Sequence, residues 1–197
     1  MPISPERRAE VNRQNARKST GPRTPEGKAA SRYFALACHL GLAAEVGEQA
    51  NRGSKRGGGA WTYFSLLLRL VFRYEGCRLR ALSGGEVVWD APCLAGVVAN
   101  GWSLGGGMKM APGARLDDGL LEFIGFGDYP LLRRLWYLPR IFPGTHVHVP
   151  GVLQKPVREI ALEADRPTLL NTDGETIGFL PARVTLLPRA LQVLTPT

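Results

Sequence analysis

Only three cysteines and three histidines occur in the 197 residues, and charged residues make up 21% of the chain. Cys38, Cys77 and Cys93 are odd in number and widely spaced. They give neither a disulfide framework nor a CxxC metal knuckle, so a reducing cytoplasm is the expected setting, and they read as small core residues. No Ser-His-Asp or Cys-His assembly can be argued from spacing. The phosphate-loop patterns GxxxxGK(S/T) and GxGxxG are missing too. An apolar signal segment is also lacking at the N-terminus, which speaks against a Sec signal. The longest apolar stretch, Ala60 to Tyr74, is interrupted by Arg69 and Arg73. It falls short of the roughly 20 residues a spanning helix needs. The expected location is cytoplasmic, at most peripheral at the inner membrane face. No internal repeat is found.

Glycine and proline are plentiful instead, at 24 and 15 residues, and 44% of the chain is hydrophobic. That composition describes a globular, turn-rich β protein rather than a disordered chain or a helical bundle. The length suits one domain with an appendage. The formal charge of +8 is unevenly placed: residues 1–32 carry +5 and 51–80 carry +6, whereas 81–131 carry −4. No aromatic residue occurs from Met1 to Lys28. Residues 1–32 therefore read as a disordered basic leader unrelated to residues 33–197. A nucleic-acid-binding arm is the alternative reading of the leader; otherwise nucleic acid is not an expected partner.

From Tyr33 the pattern is that of packed elements. Tyr33–Cys38 suits a strand and Leu42–Arg52 a helix stopped by Gly53, followed by a basic, glycine-rich loop over Asn51–Gly59. Trp61–Tyr74 places Trp61, Phe64, Leu68 and Phe72 on one helical face. A buried helix with two solvated arginines is expected there, with a membrane-interface helix as the alternative. Strands are predicted at Arg78–Leu82, Glu86–Trp89, Leu94–Ala99 and Leu120–Phe126, with an Ala-Pro turn between the second and third. One amphipathic helix, Tyr129–Ile141, faces Leu131, Leu132, Leu135 and Trp136 inward and Arg133 and Arg134 outward. Strands resume at Val157–Ala164, Thr168–Leu170, Arg183–Leu187 and Leu191–Leu194. Turn signals about every ten residues predict a mainly β (α+β) fold, a β-sandwich or barrel with two or three helices.

Three polar clusters interrupt the apolar strands. The first, Asn100-Gly101 with Gly105-Gly106-Gly107, allows positive φ and close approach of a ligand to the backbone, or simply a tight bulge. In the second, Asp117 and Asp118 sit in a Gly-bounded turn that can hold a hard cation such as Mg²⁺ or can be an ordinary turn. In the third, Asn171 to Glu175, Asp173-Gly174 reads as a hairpin turn with Glu175 just past it. A carboxylate so placed could take a proton from a substrate hydroxyl. His146 and His148 offer a metal pair on one strand face, or two structural histidines beside a turn.

The clusters also have a recognisable order. Asn100-Gly101 and Gly105-Gly106-Gly107 precede Ala111-Pro112, Ala114, Leu116-Asp117-Asp118-Gly119 and Leu121. Gly144-Thr145-His146, Asp173-Gly174-Glu175 and Pro181-Ala182-Arg183 follow. The run resembles the C-terminal domain of the bacterial diacylglycerol kinase and sphingosine kinase-like lipid kinase family, from about Tyr33 to Leu194. That resemblance implies a β-sandwich-like domain that receives a lipid substrate, and ATP-dependent phosphorylation of a lipid hydroxyl with Mg²⁺. It implies Glu175 as the general base. It also implies a structural Mg²⁺ held by the Asp118 carboxylate and the main-chain carbonyls of Arg115 and Leu120. Asn100, Gly105, Gly106, Gly107 and Asp173 are the implied substrate contacts.

Two departures qualify the resemblance. Gly41-Leu42-Ala43-Ala44 stands where many members read Gly-Phe-Asp-Ala. The Gly-Gly-Asp-Gly-Thr loop that binds ATP in the family occurs nowhere in these residues. An ATP site and autonomous activity are therefore not expected of this chain, and its expected partners are the lipid and a nucleotide-domain partner or a second copy. A non-catalytic lipid- or partner-binding module is the alternative function, and a nucleic-acid-associated protein acting through the leader is a third.

Overall fold

The computed structural model describes residues 34–52, 59–104 and 107–190, the side chains of 51–63 excepted. All the elements below belong to one unit, Leu36–Leu186. The leader and the strand expected at Leu191–Leu194 lie outside the described residues, as does Gly53. The order is β1 (Ala37–Gly41), α1 (Leu42–Arg52), α2 (Gly59–Val71), β2 (Cys77–Ser83), β3 (Glu86–Ala99), β4 (Leu121–Gly127) and α3 (Leu131–Tyr137). Then come β5 (Val152–Val157), β6 (Glu159–Ala164), β7 (Leu169–Thr172), β8 (Glu175–Phe179) and β9 (Ala182–Thr185). Short 3₁₀ turns cover Leu138–Ile141 and Thr145–His148.

The fold is mainly β, as expected. One sheet runs β8-β7-β1-β3-β2-β6-β9, with β4 on β3 and β5 on β4. It branches at β3. Residues Ala95–Ala99 pair with β1 on one edge and β4 on the other, while the first half of β3 pairs with β2. The Ala-Pro turn expected inside this segment does not form, and Glu86–Trp89 and Leu94–Ala99 are one strand. The Pro92 carbonyl accepts the Asp128 N–H at 3.2 Å, so the polar side of Pro92 faces the edge that β4 pairs only from Cys93 onward. Proline is tolerated there because no ladder bond needs its missing N–H.

Helix α1 starts and stops as the sequence predicts. Gly41 makes the strand-to-helix corner at φ +65°, and a Cβ there would lie 2.8 Å from the Leu94 carbonyl. Only glycine meets both demands. The strand before it is shifted from the expected Tyr33–Cys38 to Ala37–Gly41. Leu42 and Val46 join Val97, Ile124, Leu138 and Ile141 in the main core.

Two helical faces differ from expectation. In α2, Val71 is buried and Leu66, Leu67 and Leu70 pack against the core, whereas Leu68 and Phe72 are exposed. The helix is apolar on both sides, so periodicity alone could not choose the face that meets the sheet. The expected Tyr129–Ile141 helix is instead α3 followed by a 3₁₀ turn. Leu132 is 83% exposed and Trp136 56%, while Leu138 and Ile141 are buried. Tightening of the last turn moves the apolar register toward its C-terminal end.

Arg134, expected outside, is mostly buried. Its guanidinium meets Asp128 at 2.5 Å. It also donates to the carbonyls of Tyr129 (2.7 Å), Val71 (3.1 Å) and Tyr74 (2.9 Å). A cation there satisfies carbonyls left open where α2 ends and suits the helix dipole. Arg134→Ala should destabilise the fold by about 3 kcal/mol, because it leaves Asp128 and those carbonyls unpaired. Arg133→Ala, at an exposed position, should change stability by less than about 0.5 kcal/mol. Urea unfolding of both variants checks this, and equal losses would contradict it.

Candidate functional site

Chain segments far apart in sequence converge on Leu36 and Ala37. Asp173 Oδ1 accepts the N–H of Leu36 at 3.0 Å and of Ala37 at 2.9 Å. The Leu36 carbonyl accepts the N–H groups of Asn100 at 2.8 Å and Gly101 at 3.3 Å. The first and third clusters of the sequence thus share one anchor. Asp173 and Gly174 have φ of 46° and 91°, the pair of left-handed residues expected of a two-residue hairpin, and Thr172 pairs with Glu175 across the turn. Glu175 is exposed at the first position of β8. Thr176 beside it donates to Glu48, which ties β8 to α1.

Next to this anchor lies a cavity of about 300 Å³. Leu42 and Val46 of α1, Leu67 and Val71 of α2, and Leu138 and Ile141 form apolar walls, and Met108 and Met110 add flexible, polarisable surface. Polar lining comes from His39, Asn171, Asp173 and Gly174, with Tyr129 and Arg134 from the α3 region. Burial pushes the His39 imidazole down to about 4, against the pull of Asp173, so it is neutral near pH 7. Dimensions and lining suit one apolar ligand with a small polar part.

The other expected site residues are placed as follows. Asn100 is half-buried at the end of β3. Gly105 and Gly106 lie outside the described residues. Gly107, at φ +90°, belongs to a loop closed by reciprocal hydrogen bonds between Leu104 and Met108. The 115–120 turn contributes nothing to the cavity lining. In it Arg115 pairs with Asp117 at 3.2 Å, and Asp118 Oδ1 accepts the Leu120 N–H at 2.9 Å. Asp118 keeps a second oxygen available. Nearby Glu122 is buried, its Oε2 has no partner among the described residues, and burial together with the Asp118 charge pushes its carboxyl up.

The histidine pair does not form. His146 and His148 lie on a 3₁₀ turn rather than a strand, with His146 fully buried and His148 exposed. His146 Nε2 is 3.0 Å from the Met110 carbonyl, and the ring stacks on Phe126 at 5.4 Å. It is structural. Among the described residues, no three His, Cys, Asp or Glu side chains form a metal cluster. The three cysteines are free and buried; burial pushes the Cys38 thiol up to about 12 and raises the other two. They are unreactive packing residues.

Sequence reasoning found the turn and missed the cavity. His39 lies just past the strand expected at Tyr33–Cys38, and Arg134 on a helix face that reads as outward. Asn171 had a signal, an amide directly after the apolar pair Leu169-Leu170, but in the sequence it reads as part of the turn cluster Asn171 to Glu175.

A match to the family model of the YegS C-terminal NAD kinase beta sandwich-like domain covers residues 37–195, and the chain belongs to this family. It is 30% identical over 167 residues to the Chromohalobacter salexigens protein named "Probable lipid kinase YegS-like", covering 83% of this chain and 52% of that one. It is 27% identical over 165 residues to a diacylglycerol kinase of Mycobacterium tuberculosis, covering 84% and 53%. The chain thus spans about half the length of the curated relatives it matches. The crystal structure of a diacylglycerol kinase from Bacillus anthracis shares the fold at a TM-score of 0.59 and 16% identity, covering 92% of this chain and 64% of that one. No described helix is long and apolar enough to cross a membrane.

The histidines carry a pH prediction. Burial lowers both His39 and His146, while in the unfolded chain histidine titrates near about 6.5. Between that value and about 4 the unfolded state binds more protons, so stability falls as pH falls through this window. His39→Gln should flatten the fall in Tm over that range without abolishing it, since His146 remains. An unchanged slope in a pH series of thermal melts would contradict this account.

Proposed function

We propose that this chain supplies the lipid side of an ATP-dependent lipid kinase reaction. The observation that carries the reading is the apolar cavity whose lining includes Asp173 and Gly174, the turn residues just before Glu175. An acyl chain in the cavity leaves the lipid's hydroxyl at its polar lining, beside Gly174, with Glu175 the next residue. The Glu175 carboxylate takes the hydroxyl proton as the oxygen bonds to the γ-phosphorus and the bond to the leaving nucleotide breaks. Asp173 is a positioning residue, since its carboxylate is engaged by the start of β1.

The Asp118 turn fits a hard cation. It has one carboxylate with an oxygen to spare, and the strand that follows it holds a buried Glu122 Oε2 with no partner among the described residues. Mg²⁺ would be held by Asp118 and the carbonyls of Arg115 and Leu120, where it would supply positive charge and fix the turn.

Access is from a bilayer. The helices that wall the cavity carry Leu68, Phe72, Leu132 and Trp136 exposed on their outer faces. Arg69, Arg73, Arg133 and Arg140 are interleaved with them, and Arg140 lies 3.5 Å over the Trp136 ring. Apolar side chains with arginine suit an anionic lipid surface.

Two measurements test the reading. Ala43→Phe, which fills the cavity from α1, should weaken binding of dioctanoylglycerol by at least about tenfold with little change in Tm. Equal affinity in isothermal titration would count against the cavity as the lipid site. Leu132→Glu with Trp136→Glu should lower co-sedimentation with vesicles of anionic phosphatidylglycerol several-fold. Undiminished co-sedimentation would show that another surface meets the membrane.

A further inference from the structure

Among the described residues, Asn171 is the one fully buried side chain in the cavity lining whose hydrogen-bonding atoms have no partner. It is 0% exposed, and neither Oδ1 nor Nδ2 has a partner among the described residues. Its position is fixed by the sheet: it pairs with His39 of β1 on one side and Thr176 of β8 on the other. Helix α1 passes close over it, and a Cβ at Gly47 would lie 3.3 Å from Nδ2. The amide is thus enclosed between the sheet and α1, with no bond to any of the described residues. A carboxamide offers two donor hydrogens and an acceptor oxygen, and burying them unpaired is costly. Such a group in an apolar cavity points to a ligand that pairs with it.

The chemistry of that ligand follows from the neighbours. His39 is neutral at pH 7, so no fixed cation faces Asn171 from β1. Asp173 already accepts two backbone N–H groups. Arg134, the cation in the lining, is likewise engaged by Asp128 and by the carbonyls of Tyr129, Val71 and Tyr74. With both charges already held within the protein, the Asn171 amide and the neutral His39 imidazole suit a neutral acceptor rather than an ammonium or a phosphate.

We propose that Asn171 is a specificity-determining residue that donates a hydrogen bond to the acyl carbonyl of a neutral lipid, ester or amide, whose chain fills the cavity. The proposal rests on the reading of the cavity as the lipid site. Acylated lipids are held in one register by this bond. Ether lipids and free long-chain amines, which lack the carbonyl, leave the amide unpaired and bind more weakly.

The test uses four probes with wild type, Asn171→Leu and Asn171→Ala: dioctanoylglycerol, the corresponding dioctyl ether, N-octanoylsphingosine and sphingosine. Wild type should bind both acylated probes about tenfold tighter than the ether and than sphingosine, the value of one buried neutral hydrogen bond. Both variants should lose that preference while binding the ether within about twofold of wild type. Asn171→Leu should also raise the Tm of the free protein, because the unpaired amide is gone. Preference for the ester alone would identify a glycerolipid, and for the amide alone a sphingolipid; either supports the role. Retained preference in both variants would overturn the proposal and leave the cavity reading intact, as would equal loss of all four probes with a lowered Tm. Failure of wild type to bind any probe would overturn the cavity reading and this role together.

Discussion

Everything at the candidate site depends on the short main-chain segment Leu36–Ala37. Its two N–H groups are held by Asp173, and its Leu36 carbonyl holds Asn100 and Gly101. Those bonds join the ends of β1, β3 and β7, which are distant in sequence and adjacent only because β1 lies between β3 and β7. A start of a strand left without partners would expose orphan donors and acceptors. Here the side chain that satisfies them also belongs to the turn that presents Glu175. Capping the strand and placing the turn are one act.

The cavity follows from the same arrangement. β1 runs from that anchor into the Gly41 corner, and the corner launches α1 across the sheet. Helix α2 and the segment around α3 close the remaining sides, held to each other by the four-point grip of Arg134. The result is an apolar space whose polar lining is drawn from β1, from β7 and the turn after it, and from the α3 region.

How much of this the sequence disclosed depends on how local each cause is. The Asp173-Gly174 turn and helix α1 were readable because each is written in adjacent residues, whereas the Gly41 corner that launches the helix shows only where the chain passes Leu94. The single long β3 was not, because whether Pro92 ends a strand depends on where β4 leaves its edge. The buried face of α2 was misread because both its faces are apolar. Arg134 was misread because its partners, Val71, Tyr74 and Asp128, are assembled only by packing. The Asp118 turn was visible as carboxylates and glycine, but the buried Glu122, whose Oε2 has no partner among the described residues, was hidden in a strand.

The central claim is that the cavity receives a lipid chain. It is tested most directly by photo-crosslinking with a diacylglycerol that carries a diazirine at the end of one acyl chain, followed by peptide mass spectrometry. The account predicts adducts on cavity residues such as Leu67, Met110 and Leu138, suppressed by unlabelled dioctanoylglycerol. Adducts confined to outer residues such as Leu132 and Phe72, or insensitive to the competitor, would contradict it.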